Sequence, residues 1–496
     1  FGQRRITWPQ SLAFTLWLAL LAIAPWETSA QIDSIRGARA TCTDGLAAGH
    51  ACSDMDLLSF VSRDELGIEF LTDVEPWLDP QTGRPFLITS GWDGVAVLDA
   101  SDALNPVVLT TFELPAAVDI KVYEGHLYVT TEASEALGLR SYRMGDLVAG
   151  IVSETSALDA FHQGHNLSLS PEAQRGYISL VAGGLGSCKT LLELDLTDPA
   201  RPSVARCLPD SWSSNNRWSH NAECLVYDGP DEDFAGQELC FMAVPGSGLV
   251  LMDVTDKAAE KGTVLGMVRY PDEQFAHQGV LTADRRYFLM GDEGRDGDKP
   301  RMIIIDVADL SDPVVAGFYE TPRFATDHDI ERHGNRLYWS LYSDGMRILE
   351  FNGPDQITEL GYFRTMLSGV AISAGTWDTA VLPGVVAATS AQRGIYLLSD
   401  PTTAVSVEEG VVLDWELSVY PNPASHVMNL QVSGAPQGAS LRLIDVAGRE
   451  VLYRTLSTQG LSSELTIDVG DLAPGVYLAR VQSGESVITK ALTILR

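Results

Sequence analysis

Basic residues are scarce in this chain. Lysine and arginine number 34 against 66 aspartates and glutamates, for a formal net charge of −32. Nucleic-acid backbones are bound through Lys and Arg, so this balance argues against a nucleic-acid partner. An acidic exterior instead suits solubility and the attraction of cations. Beyond the N-terminus no apolar stretch approaches the roughly 20 residues needed to span a bilayer, and no transmembrane helix is expected in the mature chain. Cysteine is limited to six residues, with no C-x-x-C and with spacings wrong for zinc. Common enzyme signatures are missing as well: no G-x-S-x-G elbow, P-loop, H-E-x-x-H or strand-linked G-x-G-x-x-G occurs. These absences do not exclude a hydrolase whose site is assembled from separate loops.

What is present reads as a folded, exported protein. Hydrophobic residues make up 45% and charged residues 20%, the composition of a globular chain. Residues 1–30 are read as a signal peptide, with Arg4 and Arg5 as the basic region and Ser11 to Ala24 as the apolar one. Small residues Thr28 and Ala30 then precede cleavage before Gln31. An oxidising destination suits disulfides. The cysteines fall into three sequence-local couples, Cys42 with Cys52, Cys188 with Cys207, and Cys224 with Cys240.

One pattern recurs at intervals of about 50 residues, the mark of a repeat architecture. An apolar run ends in Asp, a second Asp follows three residues on, and a Pro usually comes four further. It reads VAVLDASDALNP around Asp99, LLELDLTDPARP around Asp195, LVLMDVTDK around Asp253 and MIIIDVADLSDP around Asp306. Short β-branched and aliphatic runs suit buried strands. The aspartates suit turns, in which a side-chain oxygen accepts a nearby backbone N–H, and the prolines end the segment. Strand triplets precede Asp99, Tyr142, Asp195, Asp253, Asp306, Glu350 and Leu397. The expected fold is therefore all-β: a seven-bladed β-propeller over residues 70–400, with six or eight blades left open because the second and seventh units are degraded.

Four histidines keep one place in successive units: His165, His220, His277 and His328, each followed by Asn, Gln or Asp and then an apolar strand. Asp119 and Asp378 hold equivalent places, with Asp73 a weaker candidate. If these segments are the innermost strands, their side chains ring a central channel. That ring is a candidate ligand or divalent-metal site, for Ca²⁺ or a transition metal. The competing interpretation is a set of hydrogen-bonding struts inherited by duplication. In the loop MGDEGRDGDKPR, Asp292, Asp296 and Asp298 are calcium candidates, although the EF-hand order is absent and a solvated hairpin loop is the favoured interpretation.

The motifs from Ala40 to Ser399 resemble the choice-of-anchor B family of secreted bacterial proteins with LVIVD repeats. The resemblance is carried by CTDGLAAGHACSDMDLLS, WLDPQTGR, DIKVYEGHLYV, NAECLVYDGPDEDFAGQELCF and VLMDVTDK, besides the His segments. Trp377-Asp378 departs from the Trp-Ser type of pair usual there. The resemblance implies a secreted repeat domain joined to a surface anchor, and it implies no reaction.

After a linker at 401–416, residues 417–496 alternate apolar and polar with turns at Gly448 and Pro474-Gly475, describing a small antiparallel β-sandwich. This tail resembles the C-terminal sorting domain of the Bacteroidetes type IX secretion system at Tyr420, Pro421, Asn422, Pro423, Gly448, Gly475, Tyr477 and Lys490. Type IX machinery is then a partner, with release or attachment at the outer-membrane surface after the tail is removed. Residues 31–69 are expected as an N-terminal cysteine-containing segment. The expected function is presentation of a propeller face to a glycan, peptide or small-molecule ligand. The alternative is a metal-dependent extracellular hydrolase of lactonase type that uses the channel His/Asp ring. No residue is assigned as catalytic.

Overall fold

The computed structural model describes residues 33–402 and 416–494, apart from 134–136, 186–187, 189, 210–216, 295–298, 368–373, 421–423, 425, 434–439, 446–449, 456–461, 471, 473–474 and 484–485. The expected signal peptide at 1–30 and nearly all of the linker lie outside the described residues. The chain divides into two compact units, with the break between Thr402 and Thr403.

Seven antiparallel sheets follow one another through the first unit. Their innermost strands are Leu71–Leu78, Ala117–Tyr123, Leu167–Ser170, Asn221–Val226, Ala276–Leu281, Ile330–His333 and Thr376–Leu382. Each of these strands touches the next one, and the last returns to the first. The ring therefore closes, and the fold is a β-propeller, with sheets numbered here from one to seven.

Closure follows from how the central strands are buried. Met302–Ile305 is apolar at every position, as a strand covered on both faces must be. Ile303 and Ile305 pack into a core shared with sheet four, while Met302 and Ile304 pack into one shared with sheet six. Every neighbouring pair of sheets has such a core, and the one between sheets seven and one joins Leu397 and Ile395 to Leu71 and Leu87. A sheet removed from the ring would expose two apolar faces.

The repeated aspartates end the third strands as turn formers. Asp99, Asp195, Asp253 and Asp306 each accept the backbone N–H two residues on, at 2.8–2.9 Å. Asp102, Asp198, Asp256 and Asp309 repeat the same bond in the following turn.

The N-terminal cysteine-containing segment contributes strands to the sheets of the first unit. Leu57–Ser62 pairs with Gly394–Ser399 and supplies the fourth strand of sheet seven. His50–Ser53 extends sheet six through the pairing of Cys52 with Phe363. A strand from the start of the domain thereby covers what would otherwise be an open sheet edge. The sulfurs pair as Cys42–Cys52, Cys188–Cys207 and Cys224–Cys240. Cys224 and Cys240 face each other directly across one hairpin of sheet four.

The second unit is a sandwich of a three-stranded and a four-stranded antiparallel sheet. Its core gathers Met428, Leu430, Leu441, Leu443, Tyr477 and Val481. Of the expected sorting-motif residues, Tyr477 is buried, Tyr420 and Lys490 are exposed, and Gly475 opens the strand Gly475–Ser483. Pro421, Asn422, Pro423 and Gly448 lie outside the described residues.

Candidate functional site

The seven inner strands enclose a cavity of about 310 Å³. Residues at the start of each inner strand line it, either just before the strand or inside a bulge. Bulges interrupt the pairing at Leu71/Asp73, Ala117/Ile120, Ala276/Gly279 and Thr376/Thr379. An extra residue in a strand breaks the strict in-and-out alternation, so two successive side chains are freed from the ladder.

The first of the two successive positions carries the histidines. His165, His220, His277 and His328 form a row around the channel, with successive ring centroids 4.5, 4.1 and 4.7 Å apart. Trp377 continues the row at 4.6 Å from His328. The four imidazoles do not converge on one centre; each neighbours the next. Nδ1 of His277 donates to the carbonyl of His328 at 3.1 Å, and Nδ1 of His328 donates to that of Trp377 at 2.6 Å. His165 instead meets the Glu132 carboxylate through Nδ1 at 2.6 Å.

In sheets one, two, five and seven the second position carries a hydrogen-bond acceptor for the neighbouring sheet, whereas in sheets three and four Ser168 and Glu223, two residues further on, accept from Cys224 N and Leu281 N. Ile120 N donates to Asp73 at 2.7 Å, Leu167 N to Asp119, and Val74 N to Asp378 at 3.1 Å. Gln278 serves sheet six in the same way, accepting from Ile330 N at 3.0 Å and donating to its carbonyl at 2.9 Å. Asp119 is thus the counterpart of Gln278 and not of His277, which shifts its expected alignment by one residue. Val118 holds the histidine place in sheet two, and Trp377 holds it in sheet seven.

Two residues further along the inner strands lies a layer that sequence reasoning missed. Lys121 Nζ stands 2.9 Å from Asp119, 3.7 Å from Asp73 and 3.9 Å from Glu75. Burial raises the carboxyls of Asp73, Glu75, Asp119 and Asp378 to about 7, against the pull of Lys121. Glu331 rises to about 8 for the same reason. Lys121 is held well above its ordinary value because the surrounding carboxylates outweigh its burial.

The imidazoles divide in the opposite sense. Burial lowers His220 well below its ordinary value, helped by the imidazoles on either side. His277 is lowered too, chiefly by burial. Burial also opposes protonation of His165 and His328, but Glu132 and Asp329 respectively reverse the balance and raise both.

Glu293 was legible only as part of an acidic loop. It follows directly after the strand Tyr287–Asp292, and its Oε2 lies 3.5 Å from Nε2 of His277. One ligand atom from each of His277, Glu293 and His328 falls within 4.8 Å of the others. The Tyr342 hydroxyl donates to the other oxygen of Glu293 at 2.8 Å. Asp292, expected in a calcium loop, is wholly buried and accepts from Gln274 N, Phe275 N and Arg301. As the last residue of a central strand, it anchors the incoming inner segment. Asp296 and Asp298 lie outside the described residues.

Aromatic side chains border the histidine row. Phe275 lies 5.3 Å from His220 and 5.8 Å from Trp218, and Tyr342 lies 5.5 Å from Trp377. Phe70 links Trp377 to Trp92, and the Trp92 indole is 40% exposed.

With this geometry in hand, comparison with known proteins adds one family. Residues 418–495 match the family described as secretion system C-terminal sorting domain. The second unit is thus a type IX sorting tail, which marks the protein as secreted or held at the cell surface. No helix among the described residues is long and apolar enough to cross a membrane. No curated protein matches the chain. Among solved structures, the chain is similar to the Pseudomonas aeruginosa periplasmic gluconolactonase at 12% identity and a TM-score of 0.47, covering 76% of this chain and 96% of that one. It is similar to Kuenenia stuttgartiensis hydrazine synthase at 13% identity and a TM-score of 0.46, covering 67% and 96%. A protein from Lactobacillus plantarum matches at 10% identity and a TM-score of 0.44, covering 79% and 98%.

Proposed function

We propose that this protein is a type IX export substrate whose propeller presents the mouth of its central channel to an external ligand. The observation that supports this most is the arc of rings from His165 to Trp377, bordered by Phe275, Trp218, Phe70 and Trp92 above a polar floor. Flat apolar faces beside hydrogen-bonding groups suit a polar ligand with apolar faces, and a glycan has that character. The resemblance to the choice-of-anchor B family agrees with a surface repeat domain carried by an interchangeable anchor.

The test uses the secreted chain, with tryptophan fluorescence and retention on immobilised glycans as readouts. Retention without turnover, lost in Trp377→Ala, is the expected result. Turnover of the retained glycan would replace this reading with the hydrolase alternative, and no retention of any glycan would end it. Export is tested separately. Deleting residues 417–496 should leave the propeller folded but trapped in the periplasm, and normal secretion of that variant would remove the export reading.

A further inference from the structure

We infer that His277, Glu293 and His328 form a binding site for one divalent transition-metal ion of the zinc class at the channel mouth. The inference does not depend on whether the mouth binds a glycan.

Two imidazoles and one carboxylate form a donor set that suits zinc and its neighbours better than calcium or magnesium, which take oxygen ligands. Tetrahedral zinc with bonds of about 2.0–2.1 Å holds its ligand atoms roughly 3.4 Å apart. Nε2 of His277 and Oε2 of Glu293 already stand at 3.5 Å, and all three candidate atoms lie within 4.8 Å. Small side-chain rotations would close the set.

The surroundings orient the ligands in the manner of metal sites. A ligating imidazole usually donates its other N–H to a carbonyl or carboxylate, which fixes the tautomer and turns the lone pair on the remaining nitrogen toward the metal. Nδ1 of His277 and Nδ1 of His328 both make that bond, to the carbonyls of His328 and Trp377. Nε2 is thereby the basic nitrogen of each ring. Tyr342 occupies one oxygen of Glu293 and leaves the other directed at His277.

Three protein ligands also leave a coordination position open, as in zinc sites that take water or a ligand in the fourth place.

The other two histidines of the row are set apart. His165 Nδ1 is held by Glu132, and neither His165 nor His220 belongs to the converging set.

The test is calorimetric titration of the chelator-stripped full chain with Zn²⁺, alongside visible absorption after loading with Co²⁺. One equivalent should bind, and the cobalt form should show the intense bands of a tetrahedral site. Glu293→Gln and His328→Ala should each weaken Zn²⁺ binding at least about 100-fold, while Tyr342→Phe weakens it about 10-fold, as expected for a positioning residue. His165→Asn should bind as the parent does. If His328→Ala does not fold, Glu293→Gln carries the decision, because it preserves volume and a Tyr342 acceptor. Absence of stoichiometric binding by the parent, unchanged binding by Glu293→Gln, or equal loss in His165→Asn would overturn the assignment.

Discussion

One channel wall carries two chemistries. Sheets three to six present His165, His220, His277 and His328, whereas sheets seven, one and two surround Lys121 with Asp378, Asp73, Glu75 and Asp119. One backbone bond is nevertheless shared by the two sides, in sheets one and five. Gln278 and Asp73 each accept the N–H of the next inner strand, at 3.0 and 2.7 Å. Any carbonyl-type oxygen meets that demand, so the strut leaves the charge of its side chain free to vary. Repetition fixed the bond, and divergence then gave one side carboxylates around a cation and the other imidazoles.

The largest test of that contrast is Lys121→Met. It removes the cation shared by Asp119, Asp73 and Glu75, and breaking a buried ion pair on one side costs about 3–5 kcal/mol. The loss should appear in urea unfolding at pH 8 and shrink toward pH 5, where the partners take up protons. An equal loss at both pH values would show that Lys121 acts by packing and not by charge.

Next in size is the strut itself. Asp119→Ala leaves Leu167 N–H without its acceptor, at a cost of about 1–3 kcal/mol. Asp119→Asn retains an acceptor and removes a charge, so its stability at pH 8 should equal or exceed that of the parent. If Asn is as damaging as Ala, the charge matters to the fold and the strut account is wrong.

The pH dependence sharpens the comparison further. Carboxyls held at about 7 in the folded state, as at Asp73, Glu75, Asp119 and Asp378, bind protons that the unfolded chain has already released. Their stabilisation is complete below the unfolded values near 4 and is lost as pH rises through about 7. His220 and His277 are lowered, so their contribution is present above pH 6.5 and is lost as pH falls through their folded values. The melting temperature should therefore fall from pH 6.5 to pH 8. Asp119→Asn should flatten that decline, and a profile identical to the parent's would contradict the placement of its titration.

These elements differ in how much the sequence reveals. The Asp-x-x-Asp turns and the strand triplets are local, so a short window contains the whole signal. The histidine row is legible for the same reason, since each His enters its strand in the same way. Lys121, Glu75 and Glu331 are harder to find, because their significance depends on strands about 50 residues apart meeting across a channel. Glu132 and Glu293 both follow a second strand, as TTE and GDE; Glu132 bonds His165 of the next sheet, and Glu293 lies against His277 of its own sheet with His328 of the next sheet nearby. Superposing the units on their second strands as well as their inner ones would have exposed that pair. Closure of sheet seven by Leu57–Ser62 has no local signal, because that strand's partner lies more than 300 residues away.

The smallest expected effect lies where the two sides should not differ at all. Asp99 ends the third strand of sheet one and Asp306 that of sheet five, and each pairs with an exposed arginine, Arg84 and Arg286. Each also accepts one turn N–H at 2.9 Å. Neither turn belongs to the cavity lining, so the chemistry that separates the two sides has no path to them. Asp99→Ala and Asp306→Ala should each cost about 0.5–1.5 kcal/mol, the net worth of one such hydrogen bond, since exposed ion pairs add little. Thermal unfolding of the two variants should agree within error. A clear inequality would mean that divergence between the two sides extends outward through whole sheets and is not confined to the residues that face the channel.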